Sequence, residues 1–257
     1  MYRGFNLRLP DDYFDDFIET GRASFEGQRT GLDTTISDCV KRDGVLDGGF
    51  LRKKWFPGID CQVFISHSHR DEDLAIGFAG WLEVEFGISA FVDSCIWGYA
   101  DELLHMLDQR YCRSSSGSTF DYEKRNRSTA HVHALLSTAL VHMIDRTECL
   151  VFLNTPRSTK VHGVVQSTYS PWIYTEIEVS RTIRREKQKR PGQLFKGTGL
   201  LKEASFGRLV MDFDLGLEHL AKIDADHMVA WTNRGKALWG PDSLDALYTL
   251  VPDPAQK

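Results

Sequence analysis

Residues 61 to 93 constrain the fold more than any other stretch of the chain. Cys61-Gln-Val-Phe-Ile is a short apolar run, of the kind that forms a strand buried on both faces of a parallel sheet. It gives way to Ser66-His-Ser-His-Arg-Asp71, where Ser68 followed three positions later by Asp71 signals a helix start. Leu74, Phe78, Trp81 and Leu82 then recur at helical spacing, and Gly87 ends the helix. Ile88 to Val92 is a second apolar run, closed by Asp93-Ser94. Strand, helix and strand in so short a span make a right-handed crossover between parallel strands.

The same alternation returns further on. Glu148-Cys-Leu-Val-Phe-Leu153 reads as a third strand, followed by a helix that carries Trp172 and Glu176. Leu209-Val-Met-Asp-Phe213 and Met228-Val-Ala-Trp231 read as later strands, and Ser243 to Leu250 as a closing helix that Gly240-Pro241 starts. Leu103, Leu104 and Leu107 give residues 100–130 a helix-like stretch; the polar segment from Arg113 to Arg127 reads as a mobile loop, and 131–145 as a helix. The expected class is α/β, a doubly wound, flavodoxin-like parallel sheet. Residues 1–58, rich in charge and glycine, hold one helical pattern over 11–24 and end at Phe56-Pro57-Gly58. They are expected to form an N-terminal extension packed on a core of residues 59–252. A helical insertion at about 100–130 and a tail at 253–257 complete the expected organisation.

Composition narrows the partners. The net charge of −5 gives no electrostatic reason for nucleic acid or an anionic membrane to bind. No apolar run reaches the length of a membrane span, and Met1 to Pro10 lacks the apolar stretch of a signal peptide. Five scattered cysteines without a Cys-x-x-Cys pair fit reduced thiols in a cytoplasm, not a disulfide frame or zinc. His67 and His69 have metal-like spacing, but no further ligand cluster supports them, so no metal is expected.

In sheets of this kind ligands bind beyond the carboxyl ends of the strands. Three segments sit there: Ser66-His67-Ser68-His69-Arg70, Asp93 to Trp97, and Asn154 through Glu176. Hydroxyls, imidazoles, an arginine, two tryptophans and carboxylates gathered on one rim suit a nucleotide, with rings for a base and polar groups for ribose and phosphate. Trp172 and Glu176, four apart, share one face of their helix. Each has a blander reading alone: Trp172 as a packing anchor, Glu176 as a charge near a helix start, Asp93-Ser94 as a strand end. The basic run Arg181 to Arg190 reads as a solvated helix end.

Four segments, in order, resemble the Toll/interleukin-1 receptor (TIR) domain. Cys61-Gln-Val-Phe-Ile-Ser is similar to its first strand, Ser89-Ala-Phe-Val-Asp93 to its second, and Leu150-Val-Phe-Leu-Asn to its third. Ser170-Pro-Trp-Ile-Tyr-Thr-Glu176 resembles its Ser-x-Trp-x-x-x-Glu segment. Ser94-Cys-Ile-Trp-Gly-Tyr99 falls where the family has its BB loop. The resemblance spans roughly residues 60 to 250 and is nearest to the standalone bacterial members of Thoeris antiphage systems, on the tryptophan Trp97. It implies a TIR-type fold and an NAD+ glycohydrolase or ADP-ribosyl cyclase with Glu176 as the catalytic residue. Ser66, His67, Ser68, Arg70, Asp93, Trp97 and Trp172 are then substrate-binding candidates. NAD+ would be substrate, with no added cofactor. Self-assembly through TIR surfaces and a downstream effector reached by a diffusible nucleotide would follow in antiviral signalling. Two departures stand out: about thirty residues are inserted between the second and third strands, and residues 1–58 have no family counterpart. Two other readings remain open. One is a non-catalytic TIR adaptor acting by assembly. The other is a nucleoside deoxyribosyltransferase, active on nucleosides but not on NAD+.

Overall fold

The computed structural model describes residues 1–29, 39–41, 45–55, 58–114, 119–162, 165–183, 185–186 and 212–254. Its centre is a parallel sheet of β1 (Arg3–Leu7), β2 (Val63–Ser66), β3 (Ala90–Val92), β4 (Cys149–Leu153) and β8 (Ala221–Ile223), in the order β3-β2-β4-β1-β8. All four pairings are parallel. With β1 set aside, the order β3-β2-β4-β8 is the one a flavodoxin-like sheet uses for its first four strands. The strands anticipated at 61–65, 88–92 and 148–153 form within a residue or two of those bounds, because an apolar run buried on both faces is a local signal.

Residues 1–58 do not simply pack on the outside of a core. Arg3–Leu7 lies inside the sheet, with Phe5 opposite Val151 of β4 on one side and Ala221 of β8 on the other. The sequence Arg-Gly-Phe-Asn-Leu carries two polar residues, so its apolar pattern is weak, yet every residue of the strand is buried. Tertiary partners supply what the pattern lacks. The Arg3 guanidinium donates to the Tyr248 and Val251 carbonyls at 3.2 and 2.7 Å, at the end of α8 (Asp242–Leu250), where a cation complements the helix dipole. The boundary expected at residue 58 therefore does not separate the sheet from what precedes it.

Helix α1 (Ile18–Arg29) joins the same unit, and α2 (Gly48–Trp55) comes next among the described helices. It crosses α3 (Glu72–Phe86), which is buried along most of its length against the sheet and against α1. The crossing is close enough that a methyl group on Gly21 would land on the Ile76 carbonyl, and one on Gly80 on the Phe17 carbonyl. Phe14, before α1, completes an aromatic contact with Phe78 and Trp81 of α3 at 5.1 and 5.5 Å.

Three further expectations change. Ser94–Tyr99, placed in a loop by the family resemblance, are the first turns of α4 (Ser94–Tyr111). The polar segment taken for a loop ends earlier, because α5 (Tyr122–Arg146) absorbs Lys124 to Arg127. Asp121 caps it, accepting from the Lys124 amide at 3.0 Å. Met228–Trp231 is helical, within α7 (Ala225–Gly235): Asp224 caps the start, and Trp231 is buried against Phe86 and Trp81. The apolar run Met-Val-Ala-Trp fits either period, and packing selected the helix. Of the expected strand 209–213, residues 209–211 lie outside the described residues, while Phe213 and Asp214 form β7. Strand β7 pairs antiparallel with β6 (Val165–Thr168), and β6 with β5 (Lys160–His162), as a small second sheet. Among the described residues no helix is long and apolar enough to cross a membrane.

The α1–α3 crossing makes a direct stability prediction. Gly21→Ala gains helix propensity of about 1 kcal/mol but forces two helices apart, which costs about 1–3 kcal/mol. A net loss in ΔG of unfolding, read by denaturant titration, is expected; a gain in stability would show that the crossing tolerates a side chain.

Candidate active site

Helix α6 (Pro171–Thr182) follows β6 and brings Glu176 to the carboxyl end of β2 in the central sheet. Ser170 caps it, accepting from the Ile173 amide at 3.3 Å, and Pro171 takes the first helical position, where its missing N–H costs nothing. Five residues on, Glu176 is fully buried, 0% exposed. Its Oε2 accepts from Ser66 Oγ, the last residue of β2, at 2.5 Å.

The residues after β2 and β3 close around that carboxyl. His67, directly after Ser66, forms an ion pair from Nδ1 to Oδ1 of Asp93, the residue after β3. Asp93 is also an electrostatic neighbour of Glu176. Ser66, His67, Asp93, Ser94 and Glu176 are all buried. Glu176 Oε1, His67 Nε2 and Ser94 Oγ find no hydrogen-bond donor or acceptor partner of the ordinary kind among the described residues. Such orphaned polar atoms are rare in protein interiors and ask for an explanation.

Burial pushes the Glu176 carboxyl well above its usual range, and the neighbouring Asp93 adds to the effect, while the Ser66 hydroxyl opposes it. Burial alone would push the His67 imidazole down; the Asp93 carboxylate more than offsets this, with Glu72 and Asp71 helping, and the net direction is up. Both shifts favour the proton-bound form, at the Glu176 carboxyl and at the His67 ring.

The remaining sequence candidates are dispersed. Ser68 is half-buried and caps the turn before α3: its Oγ accepts from the Arg70 amide at 3.4 Å. Arg70 itself is exposed. Trp172 is half-buried, edge-to-face on His133 of α5 at 5.4 Å between centroids, so the packing-anchor role is visible. The Trp97 side chain lies outside what is described. Of the seven binding candidates, Ser66 bonds to Glu176, and Asp93, paired with His67, is its electrostatic neighbour.

Two supports of the site were not read from the sequence. Asp71 is buried and accepts from Thr155 Oγ1 at 2.6 Å and from Arg157 Nε, while Arg157 also pairs with Asp11 at 2.9 Å. This ties the turn after β2 to the turn after β4. One helical turn beyond Glu176, Ser180 Oγ lies 2.8 Å from Nε2 of His219, whose Nδ1 faces the Gly216 carbonyl at 3.0 Å. A carbonyl only accepts, so Nδ1 carries the proton; burial pushes the His219 ring down to about 4, and it stays neutral. The one sequence signal for Asp71 was its place in the capping pattern; His219 had none.

No protein-family model, no curated protein and no solved structure matches this chain. The chemistry has to be read from the side chains themselves.

The buried acids set a pH dependence of stability. Glu176 keeps its proton in the fold at pH values where the unfolded chain has lost it. Its contribution is therefore full below the ordinary carboxylate range and falls as pH rises toward the raised folded value. His67, also raised, acts in the same direction above its ordinary value of 6.5. Glu176→Gln removes the first of these. Denaturant midpoints measured against pH should show wild type losing stability relative to the variant as pH rises, by at most about 1.4 kcal/mol per pH unit. A difference that does not change with pH would mean that Glu176 is ionised in the fold.

Proposed function

We propose that this chain is a TIR-type enzyme that cleaves the bond between nicotinamide and ribose in NAD+. One observation carries the reading: a buried carboxyl, Glu176, lies at the carboxyl end of the parallel sheet, held by Ser66. The segments that resemble the TIR family supply this cluster from neighbouring elements, β2, β3 and α6.

The chemistry asks little of the protein. Pyridinium leaves as neutral nicotinamide and needs no acid. The ribose left behind approaches an oxocarbenium ion, and a carboxylate aimed at it stabilises the charge. Glu176 must be ionised for that role, and the positive pyridinium ribose favours its ionisation. The orphaned Oε1 is free to accept a ribose hydroxyl. Water then gives ADP-ribose, while attack from within the nucleotide gives a cyclic isomer. Such a product would serve as a diffusible signal to a downstream effector in antiphage defence, in a cytoplasmic protein that assembles through its TIR surfaces.

A second reading is a non-catalytic TIR module, and one observation favours it. Glu176 has no exposed surface, so a substrate reaches it only when the rim parts.

Incubation of the concentrated protein with NAD+ and quantitation of nicotinamide separates the two readings. Release is expected, rising with pH as Glu176 ionises. Glu176→Gln should lower it at least about 100-fold with an unchanged circular dichroism spectrum. Wild-type release by the folded variant would refute the proposed role of Glu176, and absence of release by wild type would favour the assembly module.

A further inference from the structure

The fold treats the oxygens of the Glu176 carboxyl differently. Oε2 accepts from Ser66 Oγ at 2.5 Å, while Oε1 is buried with no hydrogen-bond partner among the described residues. Position in the sequence groups Ser66 with the residues that would hold substrate. Its side chain, however, is 0% exposed, and its one hydroxyl proton already engages Oε2. We propose that Ser66 is a positioning residue: it fixes Glu176 through Oε2 so that Oε1 meets the ribose, and it makes no contact with substrate itself. This rests on the reading of Glu176 as the group that stabilises the ribosyl cation, and it gives each carboxyl oxygen a separate task.

The partners come from elements that hold them unequally. Ser66 is the last residue of β2 and lies in register with Phe152 of β4. It shares a strand face with Phe64, which packs on Phe91 of β3 at 5.4 Å between centroids. Its Oγ is a short arm on a backbone that the sheet fixes. Glu176 is a long arm on α6. Ile173 and Ile177, both buried, seat that helix but leave the outer torsions of Glu176 unset. A long side chain samples several rotamers, and the bond to Ser66 selects one. Misplacing a catalytic group by about 1 Å can cost about 100-fold in rate, so the selection matters.

The same bond bears on ionisation. An ionised carboxylate only accepts, so Ser66 is the donor in the working state, and donation favours that state. Around Glu176, burial and the charge of Asp93, after β3, act against ionisation, and the Ser66 hydroxyl acts for it. Asp93 is itself paired with His67, on which Asp71 and Glu72 at the start of α3 also act. Loss of the hydroxyl therefore moves the ionisation of Glu176, and with it the rising limb of NAD+ cleavage, to higher pH.

The test compares wild type, Ser66→Ala, Ser66→Cys and Ser66→Thr as full chains, with folding checked by circular dichroism. Infrared spectra and nicotinamide release are followed from about pH 5 to about pH 9. The band of the protonated Glu176 carboxyl is isolated as the difference from Glu176→Gln, and kcat and KM for NAD+ are separated. In Ser66→Ala the band should persist to higher pH by about one unit, and the rising limb should move with it. Its kcat should fall about tenfold or more, with KM within about twofold of wild type. Ser66→Thr keeps a hydroxyl and should return both readouts toward wild type. Ser66→Cys, with a weak donor, should lie between, and its infrared shift decides the matter if Ser66→Ala does not fold. A raised KM with unchanged kcat and an unmoved limb makes Ser66 a substrate contact; this overturns the positioning role and leaves the NAD+ reading standing. A band that disappears at the same pH in wild type and Ser66→Ala also overturns the role. A shifted band in a chain that releases no nicotinamide supports the hold of Ser66 on Glu176 and overturns the NAD+ reading.

Discussion

The structure depends on a strand from the first few residues taking its place between β4 and β8. Parallel strands have no hairpin neighbours, and each needs a crossover to bring it home. Here β1 bridges β4 and β8 in register, Phe5 between Val151 and Ala221. Its Arg3 reaches the last carbonyls of α8 and stacks near Phe5 and Tyr248, at 5.4 and 5.6 Å from their rings. One short segment thus ties the two ends of the chain to the middle of the sheet. The α1–α3 crossing then covers a face of that sheet with the chain that follows β1.

A continuous sheet gives the candidate site its form. Because β2 and β3 are parallel neighbours, the residues that follow them, Ser66-His67 and Asp93-Ser94, emerge side by side. Helix α6 lowers Glu176 onto the pair, and outer ties keep the parts in place. Asp71 with Thr155 and Arg157 fixes the turns after β2 and β4, and Ser180 with His219 fixes α6 one turn beyond the carboxyl. The result is a set of ionisable groups taken out of water, with a carboxyl kept neutral by burial and by a like-charged neighbour. Buried acids that are not offset by donors are costly to a fold, and proteins keep them most often where chemistry uses the perturbed proton.

Much of this was legible locally. The apolar runs at β2, β3 and β4 and the helical spacing of Leu74, Phe78, Trp81 and Leu82 each depend on near neighbours in sequence, and each appears within a residue or two of its expected place. Ser66, His67 and Asp93 were found because residues after parallel strands share a rim. What was missed is non-local. Arg3–Leu7 has too few apolar residues to announce a strand; Met228–Trp231 suits a strand or a helix; Lys124 to Arg127 looked like a loop because they face water along the start of α5.

The sequence by itself determined the α/β alternation, the parallel character of three adjoining strands and the rim on which polar groups gather, since periodicity and capping act over a few residues. Only the tertiary structure decided that β1 belongs in the sheet and that Ser94–Tyr99 begin a helix. It alone also decided that Glu176 meets Ser66, 110 residues earlier, with Asp93 acting against its charge. Charge states follow from burial and from neighbours distant in the chain, and no local pattern encodes either.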